Sequence, residues 1–282
     1  DDIRVDPGVI TMHTMSLKTS GKITGLTNPN FDLVIGTNDT SMKGWESLVP
    51  LLKEYEPDGN FTFQGSMKGT LGDLSANLQF SAPRLAVKVS QATGGSKDAT
   101  PSKSVFEFMD MKVQAEKKNN DIKGSGNLEI KKGVVMAAAF EKMQAQFDYQ
   151  NDVLGIHGFQ AHAFQGDISM EGKVKPGKLH WIMKPVITNI NMAEVVDTLT
   201  QYKGLFKGIF SGSFTANSSA DDTQKGAIDA SGSFRLDQGE IMNVNLVDTV
   251  MDVIFGIKGV SMLVEKEGSE LEKQEITRFD SM

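Results

Sequence analysis

The sequence contains no cysteine. This removes disulfide staples and thiol nucleophiles, so the order of the chain rests on backbone hydrogen bonds and buried apolar surface. The absence suits an envelope protein that avoids stray disulfides, and it suits a cytosolic protein equally. No apolar run reaches the roughly 20 residues that a helix needs to cross a bilayer. Basic residues are not in excess: 29 Lys and Arg stand against 36 Asp and Glu, for a formal net charge of −7 and a pI near 5.2. No basic surface for nucleic acid follows, and retention at anionic headgroups by a polybasic segment is argued against, although a membrane role as such is not.

Catalytic groups are also sparse. The 4 histidines, His13, His157, His162 and His180, are scattered, without acidic partners at metal-ligand spacing. His157 and His162 lie five apart, which on a continuous strand puts them on opposite faces. There is no G-x-S-x-G elbow, and the Gly-rich segments lack a phosphate-loop lysine. S-G-S-F occurs at both Ser211 and Ser231, which marks a structural unit rather than a unique nucleophile. The carboxylate pairs Asp221–Asp222 and Glu265–Glu267 fall in polar turns and read as solvated. The expectation is a protein that is not an enzyme, with no metal and no cofactor. The opening residues D-D-I-R-V-D-P-G show neither a starter methionine nor a charged-then-apolar leader, so a segment of a longer protein is expected.

What the chain does have is glycine, 28 residues of it, set among short alternating runs. The segment S-G-S-F-R-L-D-Q-G-E-I-M, Ser231 to Met242, has an earlier counterpart in S-G-N-L-E-I-K-K-G-V-V-M, Ser125 to Met136. Ser, Gly, Gly and Met share their offsets, and apolar residues alternate between the glycines, the pattern of a half-buried strand. The second glycine of each copy is expected at a tight turn. Similar alternation marks Phe31–Ile35, Phe61–Phe63, Leu74–Phe80 and Val105–Ala115, and Met136–Gln146 is read as strand despite its helix-favouring composition. The fold class expected is mainly β with a few short helices, an elongated and strongly curved antiparallel sheet built from repeated strand–glycine–strand units and forming a groove.

The organisation expected is a β-rich half over residues 1–89, a polar loop or linker over 90–104, and a second half over 105–282. Helices are expected at about 43–55, interrupted by Pro50, at about 191–203, capped by Asn191 with Glu194 reaching back, and at about 245–255. The apolar faces of the helices at Trp45 and Val195 read as lids or end-plugs. The ending Phe279–Met282 echoes Phe140–Met143, as though another strand begins there.

In the second half a strand, a short capped helix, G-x-F-S-G-S-F from Gly208, a polar turn and A-S-G-S-F-R-L-D-Q-G-E-I follow in order, then an N-V-N-L helix start and T-R-F-D-S-M. This resembles the C-terminal region of AsmA-like proteins, the bacterial envelope family that includes TamB-type proteins. The best-matched positions are Phe164–Gly166 with Gly172, Asn191–Met192, Gly208, Gly212 and Gly232 to Asn245. The match covers about Phe140 to the end, with a weaker echo at Ser41–Phe63. The resemblance implies a periplasmic domain, in a parent protein anchored to the inner membrane, that carries phospholipid towards the outer membrane or supports its assembly. The anchor is expected in the parent protein rather than in this chain.

The 15 methionines and 16 phenylalanines either line an adaptable apolar surface or fill an ordinary core between sheets. If one layer of sheet has no partner, lipid tails or the short helices must cover its apolar face. The residues expected to line a lipid groove are Leu74, Leu78, Phe80, Phe147, Ile156, Ile168, Met170, Phe210, Phe214, Phe234 and Leu236. The partner expected is a phospholipid or another acyl-chain lipid. The alternative is a structural scaffold or spacer that contacts envelope assembly proteins and buries that face in its own core.

Overall fold

The computed structural model describes residues 2–12, 15–25, 27–47, 50–53, 55–89, 102–135, 137–175, 180–200, 202–218 and 228–241. The strands are β1 (Asp2–Met12), β2 (Met15–Thr24), β3 (Asn30–Thr37), the short β4 (Thr40–Ser41), β5 (Asp58–Thr70), β6 (Asp73–Val89) and β7 (Ser102–Lys118). They continue with β8 (Asp121–Val135), β9 (Ala138–Gln150), β10 (Val153–Ala163), β11 (Gly166–Lys175), β12 (His180–Asn191), β13 (Phe206–Ser218) and β14 (Ile228–Ile241). Together they make one 14-stranded antiparallel sheet in chain order, with β4 attached to β5. The sheet does not close into a barrel, since β1 and β14 are not paired with each other. β6 and β7 pair from Asp73↔Lys118 to Val89↔Ser102, so the two halves of the sequence share one sheet and Ser102–Ser104 belong to a strand.

Alternating apolar and polar residues explain why these segments are strands, and short polar turns explain the meander. Asn151 and Asp152, between Gln150 and Val153, have φ of 53° and 58°, the two left-handed positions of a tight hairpin turn. Phe164 and Gln165 take the same conformation between β10 and β11, with φ of 50° and 64°. Neither residue favours it, and tertiary contacts hold them there. Phe164 packs against the cluster of Ile130, Phe140 and Ala163, its carbonyl accepts from Asn191 N at 2.9 Å, and Gln165 donates to Glu194.

One helix stands out, α1 (Met192–Leu199). Asn191 caps it by accepting from Ala193 N and Glu194 N at 3.1 and 3.4 Å. Glu194 does not reach back to the cap: its carboxylate is taken by Gln165, and Asn191 N is taken by Phe164. Thr200 ends the helix, its hydroxyl donating to Val196 O at 2.8 Å, earlier than the sequence suggests. The helix expected at 43–55 is instead two short 3-10 turns, Trp45–Ser47 and Pro50–Lys53, because Pro50 removes a backbone donor and blocks a continuous ladder. The helix expected at 245–255, the loop residues 90–101, the polar turn with Asp221 and Asp222, and the tail with Glu265 and Glu267 lie outside the described residues.

The second glycine of each motif copy corrects the sequence reading. Gly133 lies inside β8, paired with Phe106 and Phe140, and Gly239 lies inside β14. Neither is a turn. A methyl group on Gly133 would sit 2.6 Å from the Phe140 ring, so this glycine leaves room for a neighbouring aromatic.

At one end of the sheet the strands are kinked along a line. Phe108, Lys142, Gly158, Asn189 and Gln238 take left-handed φ in β7, β9, β10, β12 and β14, and register shifts occur between Asn60 and Thr62 and between Ile187 and Ile190. Such bulges bend a strand and increase its twist. The buried residues gather at this same end, in clusters around Phe61, Ala82 and Leu85, around Ile130, Phe140 and Ala163, and around Val196 and Phe206. Trp45 packs on the first cluster, and α1 supplies Val196 to the third.

Candidate functional site

Residues directly opposite in an antiparallel pair share a face, so the register gives the make-up of each side of the sheet. One row runs Thr19, Ile35, Gly65, Leu78, Val113, Gly126, Phe147, Ile156, Gly172, Met183, Ala216, Ala230 from β2 to β14. The next on that face runs Gly21, Leu33, Met67, Ala76, Ala115, Gly124, Tyr149, Leu154, Val174, Trp181. Towards the kinked end follow Phe63, Phe80, Met111, Leu128 and Ala145. No charged residue interrupts these rows. The outermost row, Ile23, Phe31, Gly69, Leu74, Lys117, Ile122, does contain a charge, but the Lys117 ammonium bends away to donate to Leu71 O at 2.8 Å.

The reverse face is polar. Its matching row runs Ser20, Val34, Ser66, Asn77, Gln114, Ser125, Asp148, Gly155, Lys173, Ile182, Asn217, Asp229, with Val34 and Ile182 its two large apolar members. Exposed ion pairs lie across its strands, such as Lys132–Glu107 at 2.8 Å and Lys68–Asp32 at 3.7 Å. Glu107, accepting from Lys132 and lying close to it, raises the Lys132 pKa. Tyr149 donates to Asp152 at 2.9 Å, and that bond raises the phenol pKa. Shallow depressions of about 410 Å³ beside Asp148, His157 and Lys173, and of about 730 Å³ across Lys18, Gln64, Gln79 and Lys112, have polar-row residues as their main lining.

All the groove candidates fall on the apolar face. Leu74, Leu78, Phe80, Phe147 and Ile156 lie in or beside the rows above, and Ile168 and Met170 alternate with Gly172 on β11. Phe210, Phe214, Phe234 and Leu236 join through the pairs Gly212↔Phe234, Phe214↔Gly232 and Phe210↔Leu236. The Phe210 ring stacks on Phe214 and Phe234 at 6.2 and 5.8 Å between centroids. Phe234 is 69% exposed, although it belongs to the apolar set. Trp181, Met183, Met67 and Met111 sit in the same rows and were not among the candidates. Strand pairing, which a single sequence does not reveal, is what brings them in.

Glycines on this face make room for large neighbours. A methyl on Gly126 would lie 2.5 Å from the Phe147 ring, and one on Gly232 would lie 2.6 Å from the Phe214 ring. These are the first glycines of the two motif copies, so the repeat encodes a niche that an aromatic side chain from the adjacent strand covers. No protein family, curated protein or solved structure compared with this chain matches it.

The histidines are arranged differently from the sequence expectation. The bulge at Gly158, φ 55°, shifts the β10 register, so His157 and His162 share the polar face. His157 pairs with Asp148, and His162 Nδ1 lies 2.9 Å from Asp167. Both are half-exposed pairs of one histidine and one carboxylate. Among the described residues no group of three His, Asp or Glu side chains is placed to hold a metal ion.

Proposed function

We propose that this chain is a non-enzymatic lipid-binding module, an AsmA-like domain of the bacterial envelope that shelters acyl chains along the apolar face of its sheet. The observation that carries this reading is the unbroken set of apolar rows backed by a polar face, with no second sheet packed over them among the described residues. Strands lie about 4.8 Å apart, so a row from β2 to β14 spans on the order of 50 Å, ample for extended hydrocarbon. Each buried methylene contributes about 0.8 kcal/mol, so part of one chain gives useful affinity without any catalytic group. Bulges that bend the strands favour a face that curves into a groove. On this reading the domain works in the periplasm, attached through its parent protein to the inner membrane, and moves phospholipid or supports outer-membrane assembly. No helix among the described residues is long and apolar enough to cross a membrane.

The test is to extract the purified protein with organic solvent and identify bound lipid by mass spectrometry. Co-purifying phospholipid is expected, and Phe214→Glu is expected to reduce it severalfold. Absence of lipid from the folded wild-type protein, together with full function of Phe214→Glu and Phe234→Glu chains in cells, would sink the reading.

A further inference from the structure

We propose that the Trp45 indole is an exchangeable plug, seated where the covered end of the apolar face meets its open part and displaced when an alkyl chain enters. The inference rests on the acyl-chain reading above. The ring of Trp45 packs edge-on against Phe61, with centroids 5.9 Å apart, and Phe61 stacks on Phe80 at 5.3 Å. Phe80, half-buried against the Phe61 cluster, pairs with Met111 in the apolar rows, so a chain advancing along those rows meets the indole next.

Two features make this ring replaceable. Its Nε1–H is buried and has no hydrogen-bond partner; the only other buried side-chain N or O so placed among the described residues is Ser104 Oγ. A buried indole N–H normally finds an acceptor, and one that does not favours any state in which water reaches it. The ring is also carried outside the sheet, on a three-residue 3-10 turn preceded by Gly44 at φ 94°, and its own amide bonds Met42 O at 3.3 Å. A saturated chain fills the same apolar site and leaves no polar atom unpaired. Exchange therefore exposes the indole N–H to water and replaces it with a better-matched occupant.

Trp45 and Trp181 are the 2 tryptophans of the chain, which makes the test direct. The full chain, labelled with 5-fluorotryptophan and assigned with Trp181→Phe, is titrated with dodecanoate while calorimetry measures binding independently. On saturation the Trp45 fluorine resonance is expected to move to the position of a hydrated indole. Trp45→Ala, freed of self-occupancy, is expected to bind dodecanoate about tenfold more tightly. Because that variant loses a core ring, the resonance in the labelled wild-type chain decides. Binding with an unmoved Trp45 resonance overturns the plug and leaves the acyl-chain reading standing. No binding to either protein overturns both.

Discussion

The two ends of the apolar face obey different rules. At the kinked end the strands bend and the clusters around Phe61, Phe140 and Val196 exclude water, with Val196 fully buried. Over the rest of the face the same residue types lie in rows that are half-buried, and at the edge Phe234 is 69% exposed. Residue type alone does not set burial here. What differs is the line of bulges, together with the 3-10 turns and α1, which among the described residues fold material onto one end and not onto the other. Stability is thereby assigned to one stretch of the surface, and the proposed binding to another.

That division can be broken most forcefully at the covered end. Val196→Asp places an unpaired charge in a fully buried site, and loss of the cooperative unfolding transition, followed by circular dichroism, is expected. Phe140→Ala is expected to cost about 3–5 kcal/mol in a denaturant titration, whereas Phe234→Ser, on the other stretch, stays within about 1 kcal/mol of wild type. Equal losses at the two positions would erase the distinction.

A sharper contrast of intermediate size lies in the glycines. Gly126→Ala drives a methyl against Lys112 O and into the Phe147 ring and is expected to cost about 1–3 kcal/mol. Gly72→Ala meets nothing within 4 Å and is expected to leave the midpoint unchanged to within about 0.5 kcal/mol. Asn191→Ala removes the cap that holds α1 over the covered end and is expected to cost about 1 kcal/mol. The smallest effect is at Tyr149. Its raised pKa means that the folded state holds the phenolic proton more tightly, so the associated stability is present below the ordinary phenol pKa and is lost as pH rises through the folded value. Absorbance titration of Asp152→Gly, which removes the acceptor and suits the left-handed φ of 58°, should bring the Tyr149 transition back to lower pH; no change would discount that hydrogen bond.

Strand identity was legible in the sequence because period-two alternation is a local property. Leu74–Phe80 and the segment after Met136 are strands, the latter against its helix propensity, since packing outweighs local preference. The cap at Asn191 was legible for the same reason: it needs only its own neighbours. Gly133 and Gly239 are strand residues that look like turns in the sequence, because glycine serves both turns and cross-strand niches, and the choice depends on a partner strand. His157 and His162 were placed on opposite faces because a bulge at Gly158 changes the count without leaving a distinctive composition. Trp181 and Met183 reach the rows through register, and register is a relation between segments.

The meander order has a consequence for how the molecule is made. Every long strand pairs with the strand before it in the chain, with only the short β4 intervening once. As the chain emerges from the ribosome, each new strand finds a finished template waiting, so each loop closure joins strands that are neighbours in the chain, the longest connection running from Thr37 to Asp58. Assembly can then proceed like a zipper that advances one tooth at a time. The cost is a leading edge that remains sticky until the next strand arrives.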